Sequence, residues 1–342
     1  MKTKPIHTPT VLFVLIAISL TLHAQTVTKV GTTAAKFLSI PVGARALGMG
    51  SAFVAVSDDA SAMYWNPSGI ARLSQSEALF NHANWIADIG FNYAGVVIPM
   101  ADIGVVGVNF TSLSMADMER TTEDQPEGTG QYFSAGSFAI GVSYARNLTN
   151  WFSIGGTAKY INEHIWNSSA GGFAMDIGTL FTTPFPGLKF GAGIYNFGTK
   201  MHMSGEDLLV QKDITPINGN NSNLNAYLST DYFDLPLTLR IGLAYEAIAT
   251  DDQHFLIVAD AAHPNDNSEN VNLGAEYSLF KRMFSVRGGY MAIGTQDSEE
   301  QFTLGSGLKY GISSDVTVRF DYAYEKFGRL SSVHKFAVGI LF

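Results

Sequence analysis

From residue 78 to the end, the chain alternates apolar residues with polar or small ones in segments of about ten residues, the period of a strand with two different faces. Over 315–325, Val316, Val318, Phe320, Tyr322 and Tyr324 fall on one face, and Asp315, Thr317, Arg319, Asp321, Ala323 and Glu325 on the other. Over 235–246, Leu235, Leu237, Leu239, Ile241, Leu243 and Tyr245 oppose Pro236, Thr238, Arg240, Gly242, Ala244 and Glu246. Over 271–279, Val271, Leu273, Ala275, Tyr277 and Leu279 oppose Asn272, Gly274, Glu276 and Ser278. The same pattern predicts strands over 78–87, 90–100, 102–112, 131–146, 150–162, 171–183, 187–197, 234–247, 252–263, 269–279, 282–293, 300–311, 314–326 and 331–342, 14 in all.

A soluble sandwich also alternates, but three features count against it. The apolar faces repeatedly end in Tyr or Phe, as an interfacial aromatic girdle does. The opposite faces carry charges of both signs and many glycines, which suits an enclosed lumen. The segments also match the ~9–11 residues a tilted strand needs to cross a bilayer. An even strand count is what a closed single-chain bacterial barrel has.

Connection lengths supply a separate check. With the N-terminus placed on the periplasmic side, every second connection must be a short periplasmic turn. Met100-Ala101, 147–149, 184–186, 249–251, Lys281 and the neighbourhood of Ser313 are short, whereas 113–130 and 198–233 are long and 296–299 is an acidic tip. The last strand sets Phe336, Val338, Ile340 and Phe342 against Lys335, Ala337, Gly339 and Leu341. A terminal aromatic on such a strand is what the barrel-assembly machinery of Gram-negative bacteria reads. The expected fold is therefore an all-β membrane protein, a 14-stranded antiparallel transmembrane barrel.

Composition agrees. The 342 residues include 34 Gly, 23 Phe and 14 Tyr, with only 15% charged. There is no cysteine, which excludes disulfides, thiolate metal sites, a cysteine nucleophile and a lipobox. Lys2 and Lys4 precede the apolar run 11–22, and Leu22-His23-Ala24 stands before Gln25. This predicts a secretory signal peptide over 1–24, cleaved after Ala24; the run is too short for the ~20 residues of a membrane helix. Loss of Lys2 and Lys4 leaves 19 basic against 30 acidic residues, a net charge of −11. Such a chain lacks the basic clusters that nucleic acid or an anionic lipid surface demands.

Enzyme chemistry finds no foothold. His82, His164, His202, His254, His263 and His334 show no metal-ligand spacing. Met201-His202-Met203 is an isolated loop triplet. Ser332 and His334 share a strand face beside Ser331, but nothing marks an oxyanion hole or an orienting acid, so they read as polar girdle residues. No cofactor is expected. Lys159, Asp176, Lys189, Arg240, Glu246, Asp260, Glu276, Arg287, Lys309, Arg319, Asp321 and Lys335 all fall on lumen faces. Both signs are present, so they are expected to pair with one another or with an N-terminal plug rather than line an open conduit.

The stretch ahead of the strands, GARALGMGSAFVAVSDDASAMYWNPSGI over 43–70, fits neither a transmembrane strand nor a surface loop. Its 43–50 segment lacks the strand and spacing of a dinucleotide loop. Residues 58–65 read as a short helix capped by Ser57 or Asp58 with acids in its first turn, ended by the turn Asn66-Pro67-Ser68-Gly69. This predicts a hatch over 25–77 and a barrel over 78–342.

These residues resemble the N-terminal signature of the FadL-type outer-membrane proteins, the long-chain fatty acid transporter superfamily, and still more their PorV/PorQ branch of type IX secretion in Bacteroidetes and relatives. The GARALGMG opening and the DDASAMYWNP run carry the likeness. The resemblance implies a hatch inside the barrel built on Gly43, Arg45, Gly48, Gly50, Asp58, Asp59, Trp65, Asn66 and Pro67, with Ser68 standing where fatty acid transporters have Ala. It implies the outer membrane of a Gram-negative, Bacteroidetes-like cell, with membrane lipids and the assembly machinery as partners. It leaves two functions open. One is a secretion component that binds proteins with C-terminal signal domains and other secretion components through the loops 113–130 and 198–233. The other is a passive channel for hydrophobic small molecules. Met115, Met118, Met201 and Met203 in those loops suit adaptable apolar contact in either.

Overall fold

The computed structural model describes residues 29–101, 103–213, 223–295, 298–330 and 332–342. The expected leader, Ser331, most of the Asn-rich tip at 218–223 and part of the acidic tip at 296–299 lie outside the described residues. Fourteen long strands form one antiparallel sheet: β1 (Glu77–Asn84), β2 (Gly90–Met100), β3 (Gly104–Ser114), β4 (Ala135–Asn147), β5 (Phe152–Ile165), β6 (Ser168–Thr182), β7 (Leu188–Gly198), β8 (Thr238–Ala249), β9 (Gln253–Pro264), β10 (Asn270–Leu279), β11 (Phe284–Ile293), β12 (Glu300–Gly311), β13 (Thr317–Phe327) and β14 (Val333–Leu341). Each pairs with its neighbours in sequence, and Glu77 opposite Leu341 closes the ring. A closed barrel leaves no backbone edge unpaired, the condition for lying in hydrocarbon.

The period-2 pattern sets which face meets lipid. Val108, Val142, Leu243, Leu273, Phe320 and Phe336 point outward and are exposed, forming an apolar belt that would be costly in water. Trp151, Phe185, Phe280 and Tyr310 border the short turns, and Tyr290 and Phe302 the opposite rim. Their alternate neighbours face inward; Asp321, Ala323 and Glu325 of β13 are buried. Leu235 departs from the expectation. The strand begins only at Thr238, so Leu235 escapes the lipid face and is buried at the barrel mouth.

Residues 36–72 fill the lumen with short helical turns, Lys36–Ser39, Ala44–Gly48, Ala62–Trp65 and Pro67–Arg72. The helix expected over 58–65 shrinks to one turn at Ala62–Trp65, and neither Ser57 nor Asp58 caps it. Asp59 instead accepts from the Ser61 backbone and hydroxyl, a local turn that starts the chain helically only after it. The turn at Ala44–Gly48 had no sequence signal, since Gly43 enters it without a side-chain cap.

The wall is thinned where the hatch touches it. Gly50 has φ +65°, and a Cβ there would stand 2.5 Å from the Leu273 carbonyl oxygen. From the wall side, a Cβ on Gly274 would lie 2.1 Å from the Met49 carbonyl oxygen. Hatch backbone and wall backbone thus meet with no side chain between them.

One end of the hatch corrects an expectation. Thr33 bridges to Asp234 and Lys36 pairs with Asp266, both on the side of the long connections. Arg72 binds Ser153 and Thr182, at the side of the short turns. The first strand does start on the periplasmic side, but the chain ahead of it has already crossed the barrel.

Gly274→Val would drive a side chain into the Met49 carbonyl. Overpacking of this kind costs about 1–3 kcal/mol. The expected result is a lower midpoint in thermal unfolding of the detergent-solubilised barrel, followed by its heat-modifiable electrophoretic mobility; an unchanged midpoint would mean that the hatch does not rest on this wall.

Candidate functional site

The helical turn Ala44–Gly48 projects Arg45 into the lumen, and the loop after it returns Asp58 and Asp59 to the same level. Arg45 grips Glu276 of β10 with two hydrogen bonds, Nε to Oε2 and Nη2 to Oε1, both 3.0 Å. Glu276 also accepts from Arg287 of β11 at 2.6 Å, and Arg287 reaches Asp321 of β13 at 2.7 Å. Asp321 accepts from Arg319 at 2.9 Å, and Arg319 donates to Asp59 at 3.1 Å and to Glu77 at 3.0 Å. Asp59 lies 3.8 Å from Arg45, which closes the circuit. Three guanidiniums and five carboxylates, counting Asp58 on Arg45, join hatch and wall in one ring.

Planar guanidiniums suit such a ring because each offers several donors in a fixed fork. Asp58 is the exposed member of the ring, bonded to Arg45 from within the hatch itself. Removing Glu276, the carboxylate that Arg45 and Arg287 share, would leave buried charge short of a partner, a loss of about 3–5 kcal/mol.

A second set of contacts holds the hatch elsewhere. Asn66 is fully buried. Its Nδ2 donates to the carbonyls of Val54 in the hatch and Thr179 in β6, both at 2.9 Å, while its Oδ1 accepts from Ser68. Pro67 opens the following turn as its first residue, where its missing N–H costs nothing. Asp260 of β9 accepts from the backbone of Phe53 and Val54 at 2.7 and 2.9 Å. Trp65 donates to Val42, and the Arg240 guanidinium sits 5.1–5.5 Å from the ring centres of Trp65, Tyr195 and Tyr64. Lys335 donates to the Pro41 carbonyl and lies over Phe91 and Trp85.

Every hatch residue singled out in the sequence therefore lies inside the barrel, and each of the six inward charges Arg240, Asp260, Glu276, Arg287, Arg319 and Asp321 contacts the hatch or a residue bound to it. Gly43 (φ +86°) and Gly48 act through the backbone, Gly48 lying against Gly305 of β12. Lys159 and Asp176 pair with each other at 2.8 Å. Glu77 was missed because the first strand begins one residue earlier than the pattern suggested; its alternation with buried Leu79, Asn81 and Ala83 is the signal that could have found it. Met201 is buried and Met203 partly so, which makes them packing groups at the mouth. Ser332 and His334 bond to Tyr324 and Tyr322 on the outward face.

The lumen holds cavities on both sides of the hatch. One of about 190 Å³ opens toward the long loops beside Lys36, Arg240, Asp260 and Asn270. Another of about 190 Å³ opens toward the short turns beside Arg45, Asp58, Arg282 and Lys309. They share no lining residue, and Leu47, Met49, Phe53 and Met63 are fully buried in the hatch. In the wall, the β6–β7 register slips between Met175 and Ile177. The gap is filled: Asp176 accepts from the Asn196 backbone at 2.7 Å and pairs with Lys159.

A 14-stranded barrel with an outward apolar belt and a lumen plugged by its own N-terminal segment is an outer-membrane β-barrel protein. Residues 23–203, more than half of the chain, match the family described as Type IX secretion system protein PorV, and the chain belongs to the PorV family. The fold is similar to that of the CymD monoaromatic hydrocarbon channel (TM-score 0.55, 15% identity, 88% of this chain and 97% of that one). It is also similar to the Pseudomonas putida toluene transporter TodX (TM-score 0.55, 10% identity, 88% and 97%) and to a Pseudomonas aeruginosa FadL homologue (0.52, 11%, 86% and 97%). At such identities the likeness concerns the fold alone. No curated protein sequence matches the chain.

Glu276→Gln would leave Arg45 and Arg287 facing a neutral amide in place of the shared carboxylate. The expected outcome is a hatch loosened in its socket, read as faster entry of small hydrophilic sugars into proteoliposomes and a lower denaturation midpoint, by an amount corresponding to about 3–5 kcal/mol. Wild-type rates and midpoint in the variant would show that the ring does not hold the hatch.

Proposed function

We propose that this protein is a non-enzymatic component of type IX secretion that holds secreted cargo proteins by its extracellular loops. The observation that carries the reading is the pairing of a lumen filled by the hatch with apolar groups presented outside it. The connection 199–237 exposes Tyr227 (67%), Leu228 (56%) and Tyr232 (60%), and 115–134 exposes Met118 and Tyr132. Both connections carry short antiparallel pairings, Met118–Glu119 with Tyr132–Phe133 and Leu209–Lys212 with Leu224–Tyr227, which give the apolar groups a backbone to stand on. Exposed aromatics at a protein surface are the usual anchors of protein–protein contact. Family membership supports the same reading, and a leader removed on export and a Bacteroidetes-like cell belong to the same proposal.

One observation favours a second reading. A mainly apolar hollow of about 590 Å³ lies on the outer wall face over Tyr160, Phe173, Met175 and Phe197, beside the β6–β7 register slip. The three similar structures include a hydrocarbon channel and a toluene transporter. A hydrophobic compound could gather there, but its passage inward meets the Lys159–Asp176 pair.

A strain carrying Tyr227→Ser with Leu228→Ser separates the two. Cargo binding predicts that proteins with C-terminal secretion signals fall several-fold at the cell surface and accumulate in the periplasm, at unchanged barrel abundance. Normal surface proteins together with slowed toluene uptake on deletion of the gene would overturn the secretion reading in favour of the channel.

A further inference from the structure

The hatch is threaded through the barrel, and its two ends lie on opposite sides of the membrane. At the exit, the Asn147 side chain donates to the Ala71 carbonyl at 2.7 Å, Arg72 bonds Ser153 and Thr182, and Ser76 exchanges backbone hydrogen bonds with Phe342. Asn147, Ser153 and Thr182 stand at strand ends joined by the short turns 148–151 and 183–187. At the entry, the Ala34 N–H donates to the Asp234 carbonyl at 2.9 Å, and Thr33 forms a parallel bridge with the same residue. The Thr33 hydroxyl and the Lys36 ammonium both reach the buried Asp266 carboxylate, at 2.7 and 2.6 Å. The Ala35 N–H donates to Glu163 at 2.9 Å, two residues from the end of β5. Asp234, Asp266 and Glu163 come from three separate places on the side of the long connections.

We infer that residues 29–36 form an N-terminal arm displayed on the external face of the outer membrane, although the barrel's first strand starts from the periplasmic face. Lys29 and Val30 are exposed there, beyond the last of the pins. The arm thus belongs to the same surface as the long loops, and a partner that meets the connection 199–237 meets it too. Bacterial barrels turn short connections to the periplasm and long ones outward, which fixes the direction. The geometry has a consequence for biogenesis. A leader still held in the inner membrane could not coexist with an arm on the outer face, so it must be cut before the barrel closes around the hatch.

The chain has no cysteine, so a single introduced thiol reports its own side of the membrane. Val30→Cys is compared with Glu127→Cys in an outer loop and Ser314→Cys in a short turn, using a membrane-impermeant maleimide on intact and then permeabilised cells. The inference expects Val30→Cys to label in intact cells to the same extent as after permeabilisation, as Glu127→Cys does, while Ser314→Cys loses its signal in intact cells. Labelling of Val30→Cys only after permeabilisation would overturn it. Lys29→Cys serves as the second reporter if Val30→Cys lowers the amount of folded barrel. Neither result depends on what the loops bind.

Discussion

Everything in this molecule depends on keeping charges paired inside a lumen that excludes most water. Arg45 is the hatch's contribution to a ring whose other guanidiniums, Arg287 and Arg319, stand on wall strands. A wall without the hatch would keep Glu276 on Arg287 alone, and Arg319 would lose Asp59. A hatch without the wall would expose its own apolar interior. Each half completes the other, and an isolated ion pair would not do so because desolvation consumes most of its attraction. The ring works by connectivity: every carboxylate in it except Asp58 and Glu77 meets two guanidiniums.

Close packing imposes the second constraint. Ion pairs fix position only if the backbones approach to the right depth, and at Met49–Gly50 the hatch lies directly on Gly274 and Gly289 of the wall. Small residues on the lumen face are therefore a matching surface rather than filler. The same economy explains Asn66, whose short amide spans from the Val54 carbonyl in the hatch to the Thr179 carbonyl in β6, above Gly178. A buried amide with its donors and acceptor all engaged specifies one docking geometry. Ser68 in place of Ala adds a hydroxyl that donates to Asn66 Oδ1 at 2.6 Å, so this departure from the fatty acid transporter pattern tightens the turn.

The wall was legible because strand alternation is a local signal with a global meaning: the outward and inward sets of β13 and β14 follow the residue parity of the sequence. The interior of the hatch was not. Asp58 and Asp59 look like helix-capping acids, yet they serve Arg45 and Arg319, residues that only the fold brings near. Arg240 was recognisable as an inward charge, but its three aromatic neighbours come from the hatch and from β7, 45 or more positions away in the chain. Leu235 shows the limit of parity at a strand end, where the chain leaves the lipid and the alternation continues without its cause. The side on which residues 33–36 lie had no local signal at all, since threading is a property of the closed barrel.

The hatch is anchored unequally. On the periplasmic side it is held by the charged ring, whose members other than Asp58 are largely withdrawn from water. On the external side the arm's ion pair joins a half-exposed lysine, Lys36, to the buried carboxylate of Asp266. A pair open to solvent on one side only lies between the about 0–1 kcal/mol of exposed pairs and the several-fold larger cost of stranding a wholly buried charge. Opening free energies vary across a structure in the same sense as such contacts. The arm is therefore the less deeply anchored end of the hatch. A channel would need the opposite order, with the seal weaker than the mouth. The distribution of charge burial thus makes the external end of the hatch the easier one to release, on the face of the long connections.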